Sequence, residues 1–180
     1  GNPWSCWSDG VAVEGKYFSA IGDHLAPGGN AFVYEYDAPT RALRRVVDVQ
    51  EALALPAGHY TPGKIHSRLD LGSDGWLYFA STDEEGESAR GDVLPRWGGH
   101  LWRVHPERRI WQHLLATPEG LVAVSGVGRY IYALGYWGHV LYQYDTDTGG
   151  SRRVAVGSVD GHVSRNFLAD LRGHAYVPRL

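Results

Sequence analysis

Short segments in which apolar and polar residues alternate recur along this chain, and each follows a turn residue. Four of them share an aromatic-rich pattern: KYFSAIGDH (16–24), DGWLYFASTD (74–83), GRYIYALGYW (128–137) and RGHAYVPRL (172–180). A period of two indicates β-strands with one buried face. One helix is predicted, VDVQEALALP (47–56), and Pro56 ends it.

The strands repeat in a fixed order of four types. The aromatic segment is preceded by an inner segment, as in WSDGVAVE, IHSRLDLGS, GLVAVSGV and HVSRNFLAD, and followed by a third type, NAFVYEYDAPT, GHLWRVHPERR and GHVLYQYDTDT. A fourth type closes each unit: ALRRVVDV, IWQHLLAT and SRRVAVGS. Four strands repeated in order are typical of β-propeller blades. A β-sandwich with similar strands is the alternative, but it does not explain the repeated order.

Counting the segments gives about three and a half four-stranded antiparallel blades, so the predicted class is all-β. We interpret residues 1–180 as a single, partial propeller domain that belongs to a seven-bladed propeller. Alternatively, the N-terminal segment or a second copy supplies the missing strands, with self-association through open blade edges. The chain has no methionine, even at position 1, so we expect it to be processed or part of a longer protein; a cleaved secretory signal would fit.

Composition narrows the classes of partner. The formal net charge is −3 with acidic and basic residues interspersed, which argues against nucleic-acid binding. Cys6 is the single cysteine, so an internal disulfide and a cysteine-based metal site are excluded. The sequence has no apolar run of the roughly 20 residues that span a bilayer, so no membrane partner is expected.

The order of the strands predicts which loops share a face. Turns between successive antiparallel strands lie at alternate ends of a sheet, so the loops after the second and fourth strands of each blade open together. The two longest insertions, QEALALPAGHYTPGK (50–64) and DEEGESARGDVLPRWGG (83–99), belong to this set. Six histidines map to the same face (His24, His59, His66, His100, His139 and His162), and three map to the opposite side or to strands (His105, His113 and His174).

Inner-strand residues that enter from this face should converge on the propeller axis. We therefore expect His66 and Arg68 near the centre, with His162, Ser164 and Arg165 of GHVSRNF as their counterparts in the fourth blade. A solvated histidine and a structural arginine are the alternative. Trp97, Tyr136 and Trp137 lie in loops after second strands, where they could stack on sugars or pack against the disc. The cluster Asp83, Glu84, Glu85 and Glu87 is interpreted as a solvated loop, with a calcium site as the alternative.

GKIHSRLDLGSDGWLYFAST, GGHLWRVHP and SRNFLADLRGHAYVPR resemble blades of secreted bacterial seven-bladed propellers, a group distantly similar to polysaccharide lyases of the oligogalacturonate and ulvan lyase type. The resemblance implies a secreted or periplasmic carbon–oxygen lyase that cleaves uronate-containing glycans by β-elimination. This sequence departs from those lyases at Thr82 and Asp83, where the lyases tend to carry a second histidine.

The resemblance also implies roles for individual residues. His66 would be the base or a metal ligand, Arg68 and Arg165 would neutralise the substrate carboxylate, and Tyr136 would be the acid. Candidate substrate-binding residues are Lys64, Trp97, Trp137 and Arg179, and candidate ligands for a divalent metal ion are His100, His139 and His162. The expected partner is an anionic oligo- or polysaccharide. The alternative function is a non-catalytic propeller that binds glycan or protein through the same loop face.

Overall fold

The computed structural model describes residues 6–23, 29–54, 62–82, 98–136, 139–157 and 166–178. Blade 1 contains the strands β1 (Val11–Val13), β2 (Lys16–Gly22), β3 (Ala31–Asp37) and β4 (Ala42–Asp48), hydrogen-bonded in that order. The helix α1 (Val49–Leu53) follows β4 directly and is shorter than its predicted span. The Asp48 side chain caps it by accepting from the amide of Glu51.

Blades 2 and 3 repeat the antiparallel arrangement. In blade 2, the inner position is divided between β5 (Lys64–Ile65) and β6 (Asp70–Leu71), and both pair with β7 (Leu77–Thr82). The strands β8 (Gly99–Val104) and β9 (Trp111–Thr117) complete this blade. Blade 3 runs through the strands β10 (Leu121–Val127), β11 (Tyr130–Gly135), β12 (Val140–Asp145) and β13 (Ser151–Ala155).

Blade 4 contributes two short strands, β14 (Leu168–Ala169) and β15 (Ala175–Tyr176), which pair with each other. The predicted all-β class and the count of three full blades and part of a fourth are confirmed. Within the ranges given above, the structure contains no helix with the length and apolar character needed to cross a membrane.

The hydrophobic core lies between successive blades. All six residues of β7 are buried, because this strand packs on both faces. Leu77 and Phe79 face blade 1, whereas Tyr78 and Ala80 face blade 3. A third cluster, which includes Leu134 and Phe167, joins blades 3 and 4.

Blades 1 and 2 approach closely at the end of β2. A Cβ atom added to Gly22 would lie 2.1 Å from the carbonyl oxygen of Gly63, which is on the chain entering blade 2. A larger residue at position 22 would therefore push the two blades apart.

Candidate functional site

The inner strands of the four blades surround a cavity of about 300 Å³. Blade 1 contributes residues just before β1, blade 2 the segment between β5 and β6, blade 3 the start of β10, and blade 4 the residues before β14. The lining consists of Trp7, Asp9, His66, Arg68, Val122, Ala123, Val124, Asn166 and Phe167. The structure thus places His66 and Arg68 together among the inner strands, where both were expected; their functional roles stay predictions.

A bulge in the inner strand of blade 2 directs these two side chains. Ile65 pairs with Ser81 and Asp70 pairs with Tyr78, so four residues, 66–69, lie opposite only two residues of β7. Extra residues of this kind disrupt the ladder locally and re-aim side chains.

Ser67 repairs the backbone hydrogen bonding within this bulge. Its buried hydroxyl accepts from the amide of Ala80 at 2.7 Å and donates to the carbonyl of the same residue at 3.4 Å. The side chain therefore replaces hydrogen bonds that a regular ladder would supply.

Three alternate side chains of blade 2 bond to the open edge of the inner strand of blade 3. His66 Nδ1 lies 3.2 Å from the carbonyl oxygen of Val122, and Arg68 Nε donates to the carbonyl of Val124 at 3.1 Å. Asp70 Oδ2 accepts from the amide of Gly126 at 2.6 Å. The two partners of each contact are 56 positions apart in the sequence. The contacts therefore recur at every second residue on both strands. We call this set of three contacts the side-chain ladder; it satisfies backbone groups that an edge strand would leave open.

Arg68 combines this structural role with accessibility. Its Nη2 donates to Ser125 Oγ at 2.9 Å and lies 3.6 Å from Asp70 Oδ2, yet 48% of the side chain is exposed. A guanidinium has five N–H donors, so these contacts use only part of its capacity. The remaining donors suit a carboxylate or sulfate from solvent.

Aromatic rings form a second wall of the cavity. Trp7 stacks on His66 with ring centroids 6.3 Å apart and an interplanar angle of 12°. The ammonium of Lys64 lies 4.7 Å from the centroid of the Trp7 ring, and Lys64 itself is buried. Lys64, a predicted substrate-binding residue, therefore supports Trp7 and does not line the cavity. Trp7 remains 48% exposed.

His100, one of the predicted metal ligands, contacts a histidine outside the predicted set. His100 Nδ1 lies 3.1 Å from His113 Nε2; His113 was expected on a strand or on the opposite side, and it lies on β9. The strand register explains the contact: Leu101 pairs with Leu115, but Trp102 pairs with His113. The extra residue, Leu114, turns His113 onto the face of His100.

The environments of these two imidazoles favour their neutral forms. Burial, followed by the nearby His113, lowers the pKa of His100 to about 4. Burial also lowers the pKa of His113, although the hydrogen bond that its ring donates to the backbone of Leu115 opposes this change.

His139 is fully buried within blade 3. Its Nδ1 lies 2.7 Å from the carbonyl oxygen of Gly157, whereas Nε2 has no hydrogen-bond partner in the described structure. Across the described ranges, no three side chains among His, Cys, Asp and Glu are grouped so that they could hold a metal ion. His100 and His139 are thus in separate surroundings, and His162 lies outside the described residues.

Of the other predicted site residues, the structure describes Tyr136. The backbone amide of Tyr136 donates to Gly120 at 2.7 Å, and Tyr136 does not line the cavity beside His66. Four predicted residues lie outside the described part of the chain: Trp97, Trp137, Arg165 and Arg179.

The match proposed between the second and fourth blades needs a shift of one residue. The amides of Gly72 and Gly75 make the same turn hydrogen bonds as those of Asp170 and Gly173. Counting back from these turns, Asn166 corresponds to Arg68, and Asn166 lines the cavity. The Ser-Arg dipeptide that both segments share suggested Arg165 instead. Aligning the two segments on their turns gives Asn166.

Sequence reasoning missed Trp7, Asp9 and Asn166 as cavity residues. The inner segments WSDGVAVE and HVSRNFLAD contain all three. The expectation that inner-strand residues converge on the propeller axis, which selected His66 and Arg68, applies equally to these two segments.

No family model matches the sequence, and no curated protein matches it. Solved structures are similar in fold at low identity. The β-propeller domain of the Trilobed protease from Pyrococcus furiosus is 9% identical over 83% of this chain and 43% of its own, with a TM-score of 0.48. A nidogen/laminin complex is 9% identical over 76% of this chain and 41% of the matched chain, with a TM-score of 0.49.

An oligogalacturonate lyase in complex with manganese is also similar, with 16% identity over 78% of this chain and 33% of the lyase, and a TM-score of 0.46. The present chain therefore spans less than half the length of each of these structures.

Proposed function

We propose that this chain is part of a carbohydrate-binding β-propeller and that the inner-strand cavity binds an acidic sugar. The observation that carries the proposal is the combination of a half-exposed tryptophan and a half-exposed arginine in one cavity, at Trp7 and Arg68. Indole faces stack on the apolar faces of sugar rings, and a guanidinium pairs bidentately with carboxylate.

The other polar residues fit the same ligand. His66 and Asn166 offer ring and amide groups for hydroxyls, whereas Asp9 adds an acceptor. Asp9 and Asp70 also keep the local charge from becoming strongly positive, so we expect moderate affinity that depends on hydrogen bonding as well as on charge. The ligand that best suits this mixture is a uronate-containing oligosaccharide.

The test is calorimetric titration with an oligogalacturonide and with its methyl ester. Wild-type protein should bind the free acid more tightly, and Arg68→Ala should reduce that affinity roughly 10- to 100-fold because charge-assisted hydrogen bonds are lost. Arg103→Ala is the matched control, since Arg103 lies over Trp76 on the blade and does not line the cavity. Equal binding of acid and ester by the wild type would contradict the proposal.

A second candidate function is lyase chemistry at the same site. A carbonyl oxygen can only accept, so the contact with Val122 places a proton on His66 Nδ1, and the neutral ring then carries its lone pair on Nε2. That tautomer suits a base. Nε2 would take the proton from the carbon α to the uronate carboxylate, the electron pair would form the double bond, and the bond from the β carbon to the glycosidic oxygen would break. Water would protonate the leaving oxygen.

Lyase activity is separated from binding by its product. Incubation with polygalacturonate, with and without added divalent metal ions, should give an unsaturated uronate that absorbs in the ultraviolet, and His66→Gln should abolish it. Binding without any such product would support the non-catalytic function and reject the lyase function.

A further inference from the structure

A pair of histidines outside the cavity has the geometry of a metal chelate. His100 lies on β8 and His113 on β9, on the face of blade 2 that packs towards blade 1 with Trp102. Their facing nitrogens, Nδ1 of His100 and Nε2 of His113, are 3.1 Å apart. We propose that His100 and His113 bind a late first-row divalent metal ion, of the class of Zn²⁺, Ni²⁺ or Cu²⁺, as a two-imidazole site.

The distance fits such an ion. Metal–imidazole bonds of about 2.0 to 2.1 Å place two adjacent ligand nitrogens roughly 2.8 to 3.4 Å apart for square or tetrahedral angles. The two nitrogens already lie within that interval, so binding would replace the proton between them, and each ring would turn until both lone pairs point at the ion.

Packing holds both rings in place before any ion arrives. The ring centroid of Trp102 is 5.9 Å from that of His100 and 4.6 Å from that of His113. Trp102 is itself fully buried, and its Nε1 donates to Ser81 Oγ at 2.7 Å. A tryptophan fixed in this way limits the rotamers of both imidazoles, which lowers the ordering cost of chelation.

The chemical state of the pair also suits ligation. Metal ions bind neutral imidazole, and both histidines have a lowered pKa because of burial. One side of the His113 ring is covered by Trp102, but the residue also reaches the surface of β9, so an ion and its water ligands can approach it there. Nitrogen-only ligation favours zinc, nickel or copper over calcium and magnesium.

The site is independent of the proposed sugar site, because neither histidine lines the inner-strand cavity. The histidine pair depends on a β-bulge, which regular strand alternation does not predict. The extra residue, Leu114, brings His113 beside His100.

The test is a zinc titration of the whole chain, followed by competition with a chelating indicator. Wild-type protein should have a site for one ion that His100→Gln and His113→Gln each weaken by on the order of tenfold or more. His174→Gln is the matched control, because His174 is exposed and pairs with Asp170; it should keep the site. Circular dichroism of each variant shows whether it is folded.

A second measurement does not depend on the variants. In wild-type protein with ¹⁵N-labelled histidine, zinc should shift the imidazole resonances of His100 and His113 together. Unchanged resonances for this pair, or equal zinc affinity and stoichiometry in all four proteins, would show that the two histidines form only a structural hydrogen bond and would overturn the proposal.

Discussion

The two interfaces that blade 2 makes use polar groups in opposite ways. Between blades 1 and 2, Glu35 is completely buried and accepts from Arg109 Nε and Nη2 at 3.0 Å each. Between blades 2 and 3, the side-chain ladder lies along the inner strands, and the Arg68 side chain is 48% exposed. The first interface buries its carboxylate beside a partly exposed arginine, whereas the second leaves its arginine half exposed to solvent at the cavity.

This difference separates stability from binding. A buried carboxylate depends strongly on its partner, since an unpaired charge in the interior is costly. A half-exposed arginine can lose its protein contacts at lower cost because water replaces them. We therefore expect residues of the first interface to govern folding and residues of the second to govern ligand affinity.

The largest effect on stability is expected at Arg109. Arg109→Ala leaves Glu35 buried with only Arg44, at 3.5 Å, and should lower the free energy of unfolding by about 2 to 3 kcal/mol, less than a fully buried pair because Arg109 is partly exposed. Denaturant unfolding measures this change. Arg108→Ala, which removes only a contact 5.6 Å from the Trp76 ring centroid, should have a much smaller effect; equal effects would contradict the distinction.

The second effect concerns the bulge that orients the ladder. Ser67→Ala removes the acceptor for the buried amide of Ala80 and should cost about 1 to 3 kcal/mol. It should also weaken sugar binding, because His66 and Arg68 lie in the same bulge. Ser73→Ala, which removes an exposed hydrogen bond to Gly128, is the control for both thermal unfolding and binding.

A smaller stability change is expected at Arg68. Arg68→Ala removes hydrogen bonds to Val124 and Ser125, but the exposure of the side chain limits the cost to about 1 kcal/mol. Chemical denaturation should therefore show a modest change in the same variant that loses most of its affinity for oligogalacturonide. A loss of stability as large as that of Arg109→Ala would make Arg68 primarily structural.

The smallest effect on stability is expected from Arg129 and Asp145, an exposed arginine–carboxylate pair of the same type as Arg109 and Glu35. The Arg129 guanidinium, helped by turn hydrogen bonds, lowers the pKa of Asp145 to about 2. A lowered carboxyl pKa stabilises the fold above the ordinary value of about 3.9, and that contribution disappears as pH falls towards 2. NMR titration should find Asp145 charged at pH 3, and Arg129→Ala should raise its pKa; an unchanged pKa would reject the assignment.

Much of the fold could be predicted from the sequence because apolar and polar residues alternate with a period of two in each repeated segment. The turn residues and aromatic segments locate β2, β7, β11 and β15, and the strand order follows from them. The cavity was predictable in part, because the convergence of inner strands on the propeller axis led to His66 and Arg68.

The other contacts at the site depend on β-bulges and on packing between blades, which produce no recognisable pattern in the amino-acid sequence. The bulge at Leu114 moves His113 beside His100, and the bulge at 66–69 moves the ladder onto blade 3. The pairing of Glu35 with Arg109 joins residues 74 positions apart, and the buried contact of Lys64 with Trp7 depends on how the chain enters blade 1. Such contacts require the packed structure because they join separate repeats.

The most direct test of the central claim is NMR mapping of the inner-strand cavity during titration with an oligogalacturonide. The resonances of the Trp7 indole and the His66 imidazole should shift together with the Arg68 Nε–H, whereas the Trp76 indole, which lies outside the cavity, should not shift. Shifts confined to residues outside the inner strands, with Trp7, His66 and Arg68 unchanged at saturation, would contradict it.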